Sequence, residues 1–436
     1  MTLDSWRDKV FVNALCLLAF VIPFPYPFGA TSVWVLVLAW LIQGGFANKF
    51  KRLSKPGYLV WIAYFILFAL SYFYSKNKEA SLLDLTTKLT FVIFPILIGT
   101  VEIDRKTLEK IFNSFIAGLC AIAFFCILYA FCIFQKTGDA SQFFYHALVD
   151  ILDAANAVYM SFYVIFALFL FITFRFSSVF TKERKPFKWS VFGFLFAFFI
   201  MLACRLLIFL FLVYLGIIAV KFLLRNPKKY VLKIVTLAFV VLTFCGFILF
   251  TKNPIKERYL LVAKGNMDWV RQKDFSNKNF VLDNVNVRLL IWRVAIENIE
   301  ERNLWWKGCG NGDINDIQNE KFVQLNVPGF RKDDRYESPL HSIYIHNMYL
   351  QSLEMIGIPG LLCLLLILIL PFFSIKYVKN KGTFYIFQST AILFMMQESV
   401  LQIQAGIIYF TFFSIVFWSF CYSQKNQKEM PRRATV

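Results

Sequence analysis

Three side chains sit where apolar sequence gives them little reason to be, and their types suit acid-base and phosphate chemistry. His346, followed by Asn347, opens an apolar stretch at the close of the long polar segment of the chain. A helix starting there turns the positive end of its dipole toward the imidazole, which favours the neutral ring and equips it to accept a proton. Arg205 interrupts an apolar run from 188 to 221. That is an expensive place for a guanidinium unless it has a partner, faces a polar cavity or snorkels to the interface. Arg288 is followed one turn later by Trp292 on the same helical face, which fits either surface decoration or an arginine and a ring aimed at a substrate. Three histidines, His341 among them, are present in the chain, and taken alone one at such an interface is more often structural than catalytic. Such a site suits work on a lipid-borne substrate.

The elements that must position these residues follow from composition. Hydrophobic residues make up 58% of the chain, aromatic residues 19% and charged residues 17%, with a mean hydropathy of +0.60. A soluble surface cannot be built from that mixture. The expected fold is an all-α polytopic membrane protein, because every backbone polar group inside a bilayer must be bonded within its own segment and a spanning helix needs about 20 mainly apolar residues. About twelve stretches meet that test, near 9–23, 30–46, 57–74, 81–99, 111–134, 156–174, 188–203, 205–221, 230–250, 347–370, 383–399 and 405–421. The run 188–221 is too long for one span at about 1.5 Å per residue, so a turn is expected at Cys204 and Arg205.

Loop charge orients the helices. The N-terminus, 47–56, 100–110, 175–188, 221–230, 372–382 and the C-terminal tail together hold about 25 Lys and Arg, and the alternating short loops about four. Both termini are therefore expected in the cytoplasm. The formal charge of +19 follows from this asymmetry, so no nucleic-acid partner is implied. Pro23, Pro25 and Pro27 follow the first apolar run without a small-residue cleavage site, and the first helix is expected to stay. The organisation read from this is nine helices in 1–250, an outer loop domain in 251–346, three helices in 347–421 and a cytoplasmic tail in 422–436.

The outer segment 251–346 mixes about 15 basic and 13 acidic residues with Trp269, Trp292, Trp305 and Trp306, which suits a small, mostly helical folded domain. Within it, 284–303 has Val287, Leu290, Ile291, Val294, Ala295 and Ile299 at helical spacing, the pattern of an amphipathic helix able to lie on the bilayer. The Gly308-Cys309-Gly310-Asn311-Gly312 run is a tight loop. It follows a helix and lacks the Lys-Ser/Thr of a phosphate-binding loop, so a phosphate cradle there is the lesser reading. The nine cysteines lie mostly inside predicted helices and form no disulfide framework, while the scattered histidines and Asp333-Asp334 lack metal-ligand spacing. No cofactor or metal is expected. No internal repeat is visible, which counts against an inverted-repeat transporter.

Three stretches together resemble the O-antigen ligase and polymerase family, whose members join lipid-linked glycans outside the cytoplasm: NVRLLIWR at 286–293, WWKGCGNGD at 305–313 and IHNMYLQSLEMIGIPGLL at 345–362. ACRLLIFLFLVYLG at 203–216 resembles the family's Ser-Arg stretch, with Cys204 where serine is common, and Asn156 stands where relatives often carry histidine. The resemblance implies a glycan donor on undecaprenyl diphosphate, a lipid A-core or similar acceptor, and an active face on the periplasmic side of the bacterial inner membrane. It also implies an inverting, metal-independent transfer in which Arg205 and Arg288 stabilise the diphosphate and His346 takes the acceptor proton. Trp292, Asn347 and Lys88 are the substrate-binding candidates, although Asp84, four residues from Lys88, would most simply pair with it. Asn347, Tyr349 and Glu354 are candidates to orient the histidine or acceptor. A polymerase using the same chemistry and a protein O-oligosaccharyltransferase are the alternatives, with a flippase or permease as the non-enzymatic reading.

Overall fold

The computed structural model describes residues 5–152, 156–180, 184–225, 268–272, 274–275, 284–327, 330–332, 335–337, 344–375, 378 and 381–429. In chain order the helices are α1 (Trp6–Val21), α2 (Tyr26–Gln43), α3 (Phe46–Phe50), α4 (Pro56–Tyr74), α5 (Lys78–Lys88), α6 (Thr90–Leu97), α7 (Arg105–Thr137), α8 (Tyr145–Val149), α9 (Ala157–Thr173), α10 (Lys185–Met201) and α11 (Arg205–Arg225). They continue with α12 (Asn284–Glu301), α13 (Ile314–Gln324), α14 (Met348–Ser374), α15 (Gly382–Phe394) and α16 (Gln404–Glu429). A two-stranded antiparallel ribbon, β1 (Phe330–Lys332) with β2 (Arg335–Glu337), is the strand structure among the described residues.

Each expected segment contains helix except 230–250, which lies outside the described residues, and in 383–399 the helix ends at Phe394. Seven helices among those described are long and apolar enough to cross a membrane, or eight if the pair Tyr145–Leu152 and Ala157–Thr173, bent by 93°, counts as one span. Other expected spans are shorter than the roughly 20 residues a bilayer needs. α1 has 16 residues, α10 has 17 and α15 has 13. The run 188–221 is broken between Met201 and Arg205, where Ala203 takes a left-handed φ of 48°.

Polar side chains start several of these helices. Ser5 and Asp8 form a capping box on α1, Asn77 caps α5, Asp104 caps α7, Asn156 caps α9 and Asn347 caps α14. Each accepts from N–H groups that the first helical turn leaves unpaired. Asn156 is thereby explained, since its Oδ1 receives the N–H of Val158 and of Tyr159 at 3.1 Å each.

Two helices form the middle. In α9 every residue from Ala157 to Phe171 is buried, and α16 is buried on all sides over Ile407–Phe410 and again at Phe412, Phe413, Ile415 and Val416. A helix that is apolar all round is at home only among other helices or in lipid. Rings fill the space around them: Phe413 stands 4.9 Å from Phe115 and 5.1 Å from Phe166, and Phe417 stands 5.0 Å from Phe387. On the outside, Trp34, Phe73, Phe124, Ile217 and Phe373 are exposed, the surface expected of a protein whose solvent is lipid.

The long helix α14 is broken at Gly357, whose φ of 73° and ψ of −167° are not helical. The break frees backbone groups that the 304–310 loop takes up. Trp305 O accepts from the N–H of Ile358 at 2.7 Å, and the N–H groups of Cys309 and Gly310 donate to Glu354 O at 2.8 Å and Met355 O at 3.0 Å. Close approach is what these bonds require. A Cβ on Gly357 would come within 2.4 Å of the Trp306 carbonyl carbon, and one on Gly308, itself at φ 66°, within 2.3 Å of the Met355 carbonyl carbon. Gly308→Ala and Gly357→Ala are each expected to lower the unfolding temperature in detergent, since the positive φ alone costs roughly 1–2 kcal/mol before any overlap is relieved. Gly193→Ala, inside α10 with open space around its added Cβ, is the control that does not lower it.

Candidate functional site

The segment before α14 is fixed from several sides. Asn347 Oδ1 receives the N–H of Tyr349 at 3.0 Å and of Leu350 at 3.1 Å, which starts the helix. The Met348 N–H donates to Met395 O at 2.8 Å. Ile345 is held by Trp292, whose indole Nε1 donates to its carbonyl at 2.9 Å, and by Gln351, whose Oε1 accepts its N–H at 3.1 Å. His346 lies between these anchors in a left-handed conformation, φ 53°, which a non-glycine residue holds only when its surroundings impose it.

The imidazole so placed meets Glu398. Its Nδ1 is 3.1 Å from Glu398 Oε2, and Arg288 Nη2 donates to Glu398 Oε1 at 2.5 Å. The carboxylate side chain is 4% exposed, against 28% for Arg288 and for His346. A carboxylate has only acceptors to offer, so Nδ1 carries the proton of this bond, and in the neutral ring the lone pair is then on Nε2. Arg205, Arg288 and Glu398 line a single narrow pocket with Cys204, Tyr145 and Val158. Two guanidinium groups on one pocket wall and an imidazole beside them are groups of the kind that hold an anionic phosphate and accept a hydroxyl proton.

The structure therefore brings together the two arginines and the histidine singled out in the sequence. It does so through a residue the sequence reading missed. Glu398 falls within the expected span 383–399, but α15 stops at Phe394 and the next residues turn back, with Met395 O already taken by Met348. An acidic residue at the end of an apolar run was the available signal, since carboxylates near a membrane demand partners.

The other candidates have structural employment. Trp292 uses its indole N–H on the Ile345 carbonyl and Asn347 uses its carbonyl oxygen as a helix cap. Lys88 as a substrate ligand is corrected by its burial: it is 0% exposed, its ammonium is held by Asp84 and by Gln402 Oε1 at 2.9 Å, and it does not line the pocket. The loop at 308–312 goes against its lesser reading as a phosphate cradle. The loop's N–H groups already donate within the protein: those of Asn311 and Gly312 go to Ser71 Oγ and Ser75 Oγ, both at 3.3 Å. Tyr349 donates its hydroxyl to Ile392 O at 2.9 Å, and Glu354 is fully buried between Asn298 Nδ2 at 3.0 Å and Gln318 Nε2 at 3.2 Å. His341 and Asp333-Asp334 lie outside the described residues.

α12 carries Arg288 and Trp292, and its placement has its own supports. Leu290, Ile291, Val294, Ala295 and Ile299 are buried, so the expected apolar face is covered by protein. On the other side Arg293 Nε meets Glu297 at 2.7 Å, while Lys321 of α13 reaches Glu297 at 3.3 Å and Glu301 at 2.5 Å. Partial burial pushes the Glu297 carboxyl up, but Arg293 and Lys321 outweigh it and hold it below the usual carboxylate range. Burial pulls Lys321 down, and Glu301 and Glu297 outweigh that and raise it. The Glu297 contribution is thus complete above the ordinary carboxylate pKa of about 4.3 and is lost as pH falls through the depressed value. That of Lys321 is complete below about 10.4 and is lost as pH rises beyond its raised value. Proteolysis of the α12–α13 region is expected to stay slow from about pH 5 to pH 9 and to quicken in acid, and Lys321→Ala should raise the rate throughout that window while flattening its acid dependence.

Comparison with known proteins adds a family. No curated protein matches the chain. Residues 190–365, however, match the sequence model of the family described as O-antigen ligase. That region contains Arg205, Arg288, Trp292, His346 and Asn347, and Glu398 lies beyond it. Across residues 190–365, two-fifths of its length, this chain is similar to the O-antigen ligase family.

Proposed function

We propose that the protein is a glycosyltransferase that moves a glycan from undecaprenyl diphosphate to a hydroxyl of lipid A-core or a similar acceptor, at the periplasmic face of the bacterial cytoplasmic membrane. The family match supports a transferase of ligase or polymerase type. The observation that carries the finer reading is the Glu398 carboxylate, with Arg288 on one oxygen, His346 on the other, and Arg205 lining the same pocket.

In this reading the diphosphate of the donor lies against Arg205 and Arg288. Planar guanidinium groups pair well with phosphate oxygens and hold charge that grows as the leaving group departs, which is worth several kcal/mol in a water-poor site. The acceptor oxygen attacks the anomeric carbon from the side opposite the diphosphate, the new C–O bond forms as the old one breaks, and the electron pair of the old bond leaves with the diphosphate. The hydroxyl proton passes to His346 Nε2. Glu398 keeps the ring turned so that this nitrogen faces the acceptor, and it favours the imidazolium that results. The anomeric configuration inverts. The arginines supply the positive charge, so the transfer proceeds without a divalent ion.

The test is transfer by purified protein in detergent, with chelator present, from an undecaprenyl diphosphate-linked donor. Wild type should transfer glycan to lipid A-core. His346→Ala, Arg288→Ala and Arg205→Ala should each lose about 100-fold or more, and Glu398→Gln, which keeps the side chain's shape, should fall with them while remaining folded. Full activity in His346→Ala would remove the histidine from the base role. Transfer only onto a second lipid-linked glycan would make the protein a polymerase, and onto protein an O-oligosaccharyltransferase. Movement of labelled lipid across vesicles without any glycan joining would overturn the enzyme reading.

A further inference from the structure

A second cavity, of about 490 Å3, lies among Arg7, Asp8, Lys49, Arg52 and Glu102, with the Gly44-Gly45 turn at its edge. It is at the other end of the bundle from Glu398. α16 joins the two ends: Gln404 follows the turn that bears Glu398, and Ser419 donates to the carbonyl of Val101 on the cavity wall. At about 1.5 Å per residue the two ends are roughly 22 Å apart along that helix.

The charges around this cavity do not balance locally. Arg52 is paired with Glu102 at 2.8 Å, and Asp8 accepts from Gln43 Nε2 at 2.7 Å and from the Ser5 hydroxyl at 2.7 Å. Arg7 and Lys49 have no carboxylate within ion-pair distance among the described residues. Lys49 is only 8% exposed, and its ammonium has a single long contact, 3.4 Å to the Trp40 carbonyl, with the Trp40 ring 4.6 Å away. Burial pulls it down to about 8, with Asp8 opposing from a distance. An ammonium taken out of water wants a counter-charge. Beside it Gln43 Oε1 is a buried acceptor without a donor. Trp6 on the cavity wall is exposed, as are Ile42, Phe46 and Phe50 on the adjoining helices α2 and α3.

An anionic oxygen for Lys49 and Arg7, a hydroxyl for Gln43 and an apolar approach describe one kind of ligand. We propose that this cavity binds the phosphate of an anionic phospholipid headgroup of the phosphoglycerol type, with Arg7 and Lys49 on the phosphate and Gln43 on the headgroup hydroxyl. Free phosphate shares the charge chemistry but lacks both the hydroxyl and the acyl chains.

The experiment follows the unfolding temperature of the purified full chain in neutral detergent as short-chain phosphatidylglycerol, short-chain phosphatidylcholine or inorganic phosphate is added. Wild type should gain with phosphatidylglycerol and not with phosphatidylcholine, and Arg7→Gln and Lys49→Gln should lose the gain. An equal gain from inorganic phosphate that needs the same two residues would support the phosphate site and make the free ion its occupant. Equal stabilisation by phosphatidylcholine, or a phosphatidylglycerol gain that survives both substitutions, would overturn the proposal. Arg7 is exposed, so Arg7→Gln decides the matter if Lys49→Gln fails to fold. Glycan transfer plays no part in this readout, so the two proposals stand or fall separately.

Discussion

Glu398 is almost wholly removed from water, with one oxygen on the Arg288 guanidinium and the other on the His346 ring. Without Arg288 the buried carboxylate would face only the imidazole, a poor counter-charge for an ion out of water. The requirement reaches far along the chain. Arg288 belongs to α12, His346 to the entry of α14, and Glu398 to the turn after α15, so one carboxylate fixes three segments relative to one another. Around it, Gln351 Oε1 accepts from the Ile345 N–H and from the Ser399 hydroxyl, each at 3.1 Å, which ties the two neighbours of the ion pair to the same amide. The site is held by polar contacts of high sequence separation on a frame of apolar helices.

The break at Gly357 extends this arrangement outward. A continuous α14 would have its carbonyls at Glu354 and Met355 bonded internally. Interrupted, it offers them to Cys309 and Gly310, and the loop so captured carries Asn311 into a buried group with Ser71, Ser81 and Asp84 on α4 and α5. Asp313 adds to the joint by accepting the N–H groups of Lys76 and Asn77, both at 2.8 Å. The 304–313 segment is thus keyed to the bundle by backbone groups and small polar side chains, which set position more narrowly than apolar contact does.

Features governed by local spacing could be read from the sequence. The apolar face of α12 appears at Leu290, Ile291 and Val294 as periodicity predicts, the helix starting after Asn347 follows from its cap, and the turn before Arg205 follows from the length of the apolar run. The arginines and His346 stood out because charge in apolar surroundings is costly. What spacing does not encode is partnership between distant residues. Glu398 is 110 positions from Arg288, and nothing in the composition of its own segment names that partner. Lys88 misled for a related reason, since a lysine in an apolar helix looks the same whether it faces a ligand or Asp84 and Gln402. The break in α14 did have a local sign, Gly357 followed by Pro359, but glycine and proline are also common in intact spanning helices.

The aromatic packing around α9 and α16 carries a further consequence. Phe115, Phe166, Phe387, Tyr409, Phe413 and Phe417 fill the centre of the bundle ring against ring, and the one hydroxyl among them, that of Tyr409, is buried. This region insulates. A charged headgroup can be handled at one end of the molecule while the ion gradients across the membrane find no wet route through this part of it, so the polar chemistry need not short-circuit the potential the cell maintains.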